Sequence, residues 1–565
     1  MVSLTVRPED LGDALSSPLA KGEVMNIRHV RAPQAQSHRG RGRFYSWAAI
    51  SAATALALGL ATIVPQLGSE ASATTSSSAL TIAVPNVPPT LNPALNNNGG
   101  NDVTFTSLAY DSLIYLAPNG QYQPDLALSW KYVGSNNQEF VIQLRPDVEF
   151  SDGSTMTAQD VVNYINYAKT SGSGAAEFLS SLAATTATGP LTVQLNFSSP
   201  RPDLETVFDQ NSLSGDIIGP TGLADATSLG TTTDGAGPYM IDASKTVTGS
   251  AYVFVPNPNY WNTSLVRYSS VTVNIITDPN AELDAVETGQ DDFMFNGSST
   301  QVSTATGDGL KVYASPFGWT ALFIEDYAGK LVKALASEKV RQAINYATDR
   351  PVLTKALYGS YAQANDETEL PGSTGYDPAY ANYFKYNLKT AKTLMKEAGY
   401  PKGFTMTLVS TPAEDIEPET EALSSDLSAI GIKVKIHEDA TFTEAVTDWL
   451  GKKYPGFVGT FGTLPMSIEA PLLWAKTALF NPFQNSLPTI NSIINHADEL
   501  DGAAADKLYE QAEVNALEEG YYDVIFDSDD IYFAKPGTIG NLQIGNSYPG
   551  SDFAPDAAFF SPPSS

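Results

Sequence analysis

Phe140-Val-Ile-Gln-Leu-Arg-Pro-Asp-Val-Glu-Phe-Ser-Asp-Gly153, followed closely by Thr157-Ala-Gln-Asp-Val-Val162, carries three structural instructions in a row. Phe140 to Leu144 is a short apolar run rich in β-formers, which predicts a strand. Ser151-Asp-Gly153 predicts a tight turn. Thr157 stands where a helix cap is needed, and Asp160 stands where it can answer the cap and favour the first-turn amides. Ala158, Val161, Val162 and Ile165 then recur at helical spacing and predict a core face.

The same grammar extends in both directions. Upstream, Leu80-Thr-Ile-Ala-Val84 predicts a strand, followed by a Pro- and Asn-rich loop. Tyr115-Leu-Ala-Pro-Asn-Gly-Gln-Tyr122 sets Asn-Gly between apolar ends and predicts a hairpin. Downstream, Tyr252 to Val255 and Val271 to Ile276 predict strands. A helix is expected from Ser337, with Val340, Ala343, Ile344 and Ala347 on its inner face. Another is expected from Asn387, burying Leu388, Ala391, Leu394, Met395 and Ala398 and stopping at Gly399 ahead of Pro401. Phe404 to Val409 predicts a strand, then a helix ending at Gly431, then the strand Ile432 to Ile436. A last helix over 503–517 leads into the strand-like Val524-Ile-Phe526. Helix, glycine stop and strand in repetition mark an α/β protein.

Composition narrows the function. The chain has 565 residues, 42% hydrophobic, with 62 acids against 32 bases and a net charge of -30. Nucleic acid and an anionic membrane surface are excluded as main partners. There is no Cys, which removes disulfides, thiolate metal sites and a Cys nucleophile. His29, His38, His437 and His496 are the only histidines, so no metal centre and no cofactor are expected. Ahead of the body, Arg28, Arg31, Arg39, Arg41 and Arg43 precede an apolar run centred on Trp47 to Val64, and Ala71-Ser-Ala73 follows. This is the pattern of an export signal over residues 1–73. Its apolar run is long enough to act instead as a membrane anchor, with residues 45–67 as the tether. The protein is therefore expected outside the cytoplasm: cell-surface, periplasmic or extracellular, and membrane-bound only through this segment.

In this order the motifs resemble those of the family 5 solute-binding proteins of ABC importers, the oligopeptide- and dipeptide-binding group. Pro124-Asp-Leu-Ala-Leu-Ser-Trp130 is similar to a family segment, as are the opening strand-turn-helix, Gly235-Ala-Gly-Pro-Tyr239 and Asn257-Pro-Asn-Tyr-Trp261. So are Lys339-Val-Arg-Gln-Ala-Ile-Asn-Tyr-Ala-Thr-Asp-Arg350 and Ala391 to Tyr400 with Gly431-Ile-Lys-Val434. These motifs read as structural. Trp130 and Trp261 are expected in the core, and Arg341, Arg350 and Asp349 in fixed ion pairs at a helix end. The resemblance implies a two-lobed periplasmic-binding-protein type II fold with an extra inserted subdomain and a hinge between lobes. On this reading lobe I comprises 79–112, 216–318 and 520–565. The insert is 113–215 and lobe II is 319–519. It also implies a monomer that captures a small-molecule or oligopeptide ligand between the lobes. Closing over it, the protein would deliver it to the ABC permease membrane subunits.

Three stretches correspond to ligand-facing segments of the family, and a fourth is expected to cross between the lobes. The first, Val87-Pro-Pro-Thr-Leu-Asn-Pro-Ala94, offers Asn92, whose alternative role is to fix its own loop. The second, Asp292-Phe-Met-Phe-Asn-Gly297, offers Phe295 and Asn296. The third, Gly459-Thr-Phe-Gly-Thr-Leu464, offers Phe461, Gly462 and Thr463, with backbone suited to strand addition by an extended ligand. Phe317 and Trp319 belong to the fourth. For each aromatic residue the alternative is plain core packing. Substitutions at Phe461 or Trp319 are expected to weaken binding with little change in Tm.

The departures bear on ligand chemistry. Peptide binders of the family place an Asp just after the third stretch, as counter-ion to a ligand ammonium. Here Thr463-Leu-Pro-Met-Ser-Ile-Glu-Ala-Pro471 holds only Glu469. A buried ammonium without a partner is costly, so Glu469 decides between a peptide and a neutral ligand such as an oligosaccharide, whose rings Phe317, Trp319 and Phe461 could stack. A surface module that binds and signals is a further alternative. A secreted glycoside hydrolase would need two carboxylates about 5–10 Å apart, and no pair is marked by spacing. No catalytic residue is assigned and no enzyme is expected. Asp527-Ser-Asp-Asp530 reads as a charged loop.

Overall fold

A computed structural model describes residues 78–96, 101–411, 416–476, 478, 480–500, 502–540, 542 and 557–563. The export segment read over 1–73 lies outside the described residues. Among the described residues no helix is long and apolar enough to cross a membrane.

The decisive stretch folds as its residues dictate. The strand runs Glu139–Leu144, and Gly153 closes the turn with a φ of +85°. The helix Ala158–Lys169 starts at a reciprocal cap. The Thr157 hydroxyl accepts from the Asp160 amide, and the Asp160 carboxylate accepts from the Thr157 amide at 2.9 Å. Ala158, Val161, Val162 and Ile165 are all buried. The helix Leu388–Glu397 is capped by Asn387 and stops before Gly399, whose φ of +88° is cheap only for glycine. Ala391 and Met395 form its buried stripe, while Leu388, Leu394 and Ala398 pack at the rim.

In chain order the strands are β1 (Leu80–Val84), β2 (Ile114–Leu116), β3 (Tyr122–Pro124), β4 (Ala127–Val133) and β5 (Glu139–Leu144). Then come β6 (Leu182–Gly189), β7 (Thr192–Phe197), β8 (Tyr239–Ile241), β9 (Ala251–Pro256), β10 (Val271–Ile275) and β11 (Phe293–Gly297). The last are β12 (Lys311–Ile324), β13 (Ala362–Ala364), β14 (Thr405–Ser410), β15 (Lys433–Glu438), β16 (Gly456–Gly462) and β17 (Tyr522–Ala534). Among the described residues they form three sheets. The largest is mixed, ordered β15-β14-β16-β12-β17-β11-β1-β10-β9-β8, with β13 on β17. β2 and β3 make the expected hairpin, and β4-β5-β7-β6 make a separate antiparallel sheet.

β12 and β17 bind the large sheet together. They pair antiparallel from Lys311↔Ala534 to Phe323↔Tyr522, with register shifts between Pro316 and Gly318 and between Thr320 and Ala321. One end of the pair meets β11, and the other meets β16 and β13. Tyr532 and Ala534 belong to the largest buried cluster, with β1, β5 and the helix Ala158–Lys169. Trp319, Ala321 and Val524 belong to another, with Trp449 and Trp474. The boundary read at 319 falls inside β12, and the one at 520 falls just before β17. Both strands are shared by two cores.

Three structural readings of the sequence are corrected. Asp527-Ser-Asp-Asp530 is strand, inside β17, because its neighbours β12 and β13 take up its backbone bonds. Arg350 does form fixed ion pairs, but with Asp366 at 2.5 Å and Asp523 at 2.7 Å rather than with Asp349. Arg341 donates mainly to carbonyls, those of Leu335 and Glu519. Trp130 and Trp261 lie at the core's rim, where their indole N–H groups reach Glu205 at 3.1 Å and Asp111 at 2.7 Å. A ring with a polar handle settles at a boundary when a partner waits there.

Candidate ligand-binding site

β12 and β16 run antiparallel, with Gly318 opposite Gly462, Trp319 opposite Phe461 and Thr320 opposite Thr460. The Thr320 and Thr460 hydroxyls meet at 2.7 Å. The strands approach so closely at Gly318 that a Cβ there would sit 2.1 Å from the Phe461 carbonyl oxygen. Beyond the paired stretch, the Thr463 amide donates to the Phe317 carbonyl at 3.2 Å. The pairing therefore gathers Phe317, Trp319, Phe461, Gly462 and Thr463 at one end of two strands.

The aromatic residues there form a continuous wall. The Trp319 ring lies 5.5 Å from Phe461, 5.3 Å from Phe323 and 5.8 Å from Tyr522. Phe461 meets Phe480 edge-on at 5.1 Å. Trp319 is fully buried, whereas Phe461 is half-buried at the edge of this cluster. The wall thus has a core end and an accessible end.

After β16 the chain turns at Pro465 into the helix Met466–Trp474. Glu469, in its first turn, is wholly buried, and its Oε2 accepts from the Leu464 amide at 3.2 Å. On the other flank, Trp319 stands opposite Asp527 of β17. The Asp527 carboxylate accepts from the Asn365 side-chain amide at 2.8 Å, and that same amide reaches the Glu367 and Glu369 carbonyls. This folds the run Asn365-Asp-Glu-Thr-Glu369 against the strand. Glu513 accepts from the Thr368 amide and hydroxyl, both at 2.7 Å. Ser373 donates to Glu369.

The result is a buried patch of acids. Burial pushes the Glu369 carboxyl well above its usual range, and the Glu469 charge pushes it further. Burial raises Glu367 to about 9 and Glu513 to about 7. It raises Asp527 strongly as well. Among the described residues no Lys or Arg pairs with Glu367, Glu369, Glu513 or Asp527. Four buried polar atoms here also lack a hydrogen-bond partner: Trp319 Nε1, Thr463 Oγ1, Glu367 Oε1 and Glu369 Oε1. Buried polar atoms are rarely left so, and this concentration suits a ligand that brings hydrogen-bonding groups of its own.

The remaining candidates sit elsewhere. Asn92 is buried with both side-chain ends engaged. Its Oδ1 accepts from the Ala94 amide at 3.1 Å and its Nδ2 donates to the Tyr167 hydroxyl at 2.9 Å, which fixes its own loop. Phe295 is packed edge-on against Phe293 and Tyr532 in the largest core cluster. Asn296 follows it on β11, and its side chain lies outside what the structure describes. Glu367, Glu369, Glu513 and Asp527 were missed by sequence reasoning. A run such as Asp366-Glu-Thr-Glu369 reads as a solvated loop, and only its contacts with β17 and Glu513 bury it.

Comparison with known proteins places the chain. Residues 121–477 match the family described as Bacterial extracellular solute-binding proteins, family 5 Middle. The Glutathione-binding protein GsiB of Shigella flexneri is 27% identical over 409 residues, covering 70% of this chain and 77% of that one. Among solved structures, AgaA of A. tumefaciens R10, in complex with agropinic acid, superposes with a TM-score of 0.70 at 22% identity, covering 84% of this chain and 96% of its own. The dipeptide binding protein of Pseudoalteromonas sp. SM9913, in complex with Met-Leu, gives 0.71 at 18% identity, covering 86% and 100%. These likenesses show the fold, that of the type II periplasmic binding proteins. The chain belongs to the family 5 bacterial extracellular solute-binding proteins, binding components of ABC importers and not enzymes.

Proposed function

We propose that this protein captures a peptide-like solute bearing an ammonium group, closes its lobes over it and hands it to an ABC permease. The observation that carries the reading is the burial of Glu469 beside Glu369, at the end of β16 where the aromatic wall opens. Two carboxyls held together away from water favour a cation between them. Phe317, Trp319 and Phe461 would enclose apolar parts of the solute. Gly462 and Thr463 would offer main chain to its backbone. The glutathione-binding relative and the Met-Leu-bound neighbour support a peptide-like ligand. In this reading the protein is exported and acts as a monomer, with residues 45–67 as its tether wherever the leader is retained.

The test is native mass spectrometry of the protein secreted by its own host and purified without unfolding. Retained masses matching short peptides, lost in Glu469→Gln, support the reading. Hexose-spaced masses that survive Glu469→Gln overturn it in favour of a sugar binder.

A further inference from the structure

We propose that His437, Asp439 and Asp448 form a site for a divalent transition-metal ion at the outer edge of the large sheet. The expectation of no metal centre rested on the scarcity of histidine. The fold compensates by bringing one histidine to two carboxylates. His437 is near the end of β15, the edge strand, and Asp439 follows it by two residues. In extended chain a spacing of two puts both side chains on one face. Asp448 comes from the helix Phe442–Leu450, which folds back beside them.

The donor atoms are already assembled. His437 Nε2 lies 3.2 Å from Asp439 Oδ1 and 4.0 Å from Asp448 Oδ2. One ligand atom from each residue falls within 4.8 Å of the others. Bonds of about 2.0–2.2 Å in tetrahedral array would separate donors by about 3.3–3.6 Å, so only small rotations are needed. The imidazole plane is held against the Tyr454 ring, 5.0 Å away and tilted by 24°. Asp439 Oδ2 is buried without a hydrogen-bond partner. Lys453 engages Asp448 through Oδ1, which leaves Oδ2 turned toward the histidine. One imidazole and two carboxylates suit Zn²⁺, Co²⁺ or Ni²⁺ better than Ca²⁺ or Mg²⁺, and water would complete the shell.

The position has a structural consequence. The helix bearing Asp448 continues into Trp449, which stacks on Phe457 at 5.1 Å and Phe480 at 5.7 Å. Phe480 in turn abuts Phe461. An ion joining β15 to this helix would brace the aromatic wall from behind, through Trp449, whose ring lies 5.2 Å from Phe323.

Titration of the full chelator-stripped protein with Co²⁺ at pH 7.5 tests the proposal. One equivalent should bind with visible ligand-field bands in the presence of excess Mg²⁺. Zn²⁺ should displace it and raise Tm. His437→Gln and Asp439→Asn should each weaken binding at least tenfold while circular dichroism stays unchanged. Several weak equivalents displaced by Mg²⁺, no binding at all, or unaltered binding in His437→Gln would overturn the site and leave an ordinary His–Asp contact.

Discussion

Asn137, on the β4–β5 connection, donates its side-chain amide to the Asp498 carbonyl at 3.3 Å and to the Leu500 carbonyl at 3.2 Å. It thereby satisfies the carbonyl end of the helix Pro488–Ala497 from a residue 361 positions away in the chain. Asn137 itself is held at a φ of +51°, and its carbonyl accepts from the Arg201 amide at 2.8 Å. Asn137→Gly preserves this backbone and removes only the clasp. Two hydrogen bonds of about 1 kcal/mol each make a loss of ligand affinity of roughly five- to thirtyfold the expected result, if the clasped form is the one that binds. Calorimetric titration together with small-angle scattering reads both affinity and shape. Unchanged affinity and an unchanged radius of gyration would remove the clasp from the binding cycle.

Trp319 and Phe461 should respond differently, in place of the uniform behaviour expected from sequence. Trp319 is fully buried among three rings, so Trp319→Ala should cost about 3–5 kcal/mol in urea unfolding. Phe461→Ala, at the accessible end, should cost less stability and weaken ligand binding more. Equal stability losses at both positions would place Phe461 in the core.

Stability should fall as pH rises. Burial raises Glu367 to about 9, Asp209 and Glu282 to about 8, and Asp523 and Asp529 to about 6. Unfolded carboxyls titrate near pH 4. The folded state therefore holds protons that the unfolded state has lost, and stability declines between those values. The contribution is complete below about pH 4 and disappears as pH passes each folded value. Asp242, held near 2 by Lys245 and Ser244, acts in the opposite direction but outside this window. Scanning calorimetry should show Tm highest near pH 4–5 and lower at each step to pH 9. A steady rise over that range would contradict the assignment.

Glu369→Gln isolates one of these carboxyls. It should flatten the pH dependence of Tm above pH 5, since a neutral amide has no proton to lose. It should also weaken an ammonium ligand at least tenfold. A steeper pH dependence than wild type would show that Glu369 is charged in the folded protein.

Arg350→Met should be severe. The guanidinium reaches Asp366, Asp523, the Asn345 side chain and the Val524 carbonyl, all buried. Removing it strands two carboxylates and should cost about 3–5 kcal/mol at neutral pH. Urea midpoints measured at pH 4 and pH 7 should differ, because protonation at pH 4 relieves part of the loss.

Local chemistry made much of this legible in advance. Thr157 and Asp160 announce their cap, Asn119-Gly120 its hairpin, and Gly399 its helix stop, because each acts on residues within a few positions. The wall was half legible, since the family resemblance named Phe317, Trp319 and Phe461 but not which was core. Asp527 read as part of a charged loop and Glu369 gave no signal, because their burial depends on partners a hundred or more residues away. Asp448 gave no signal for the same reason: nothing near it in sequence says that β15 will bring His437 alongside.

β12 and β17 cross from one buried cluster to another without interruption, and this constrains how the molecule comes apart. A linker of loose chain lets two halves melt at separate temperatures. A pair of hydrogen-bonded strands lodged in both cores does not, because unravelling either half strips backbone partners from the other. The two halves should therefore melt as a single cooperative unit in the calorimeter, and a protease should find no nick site between them that leaves either half standing.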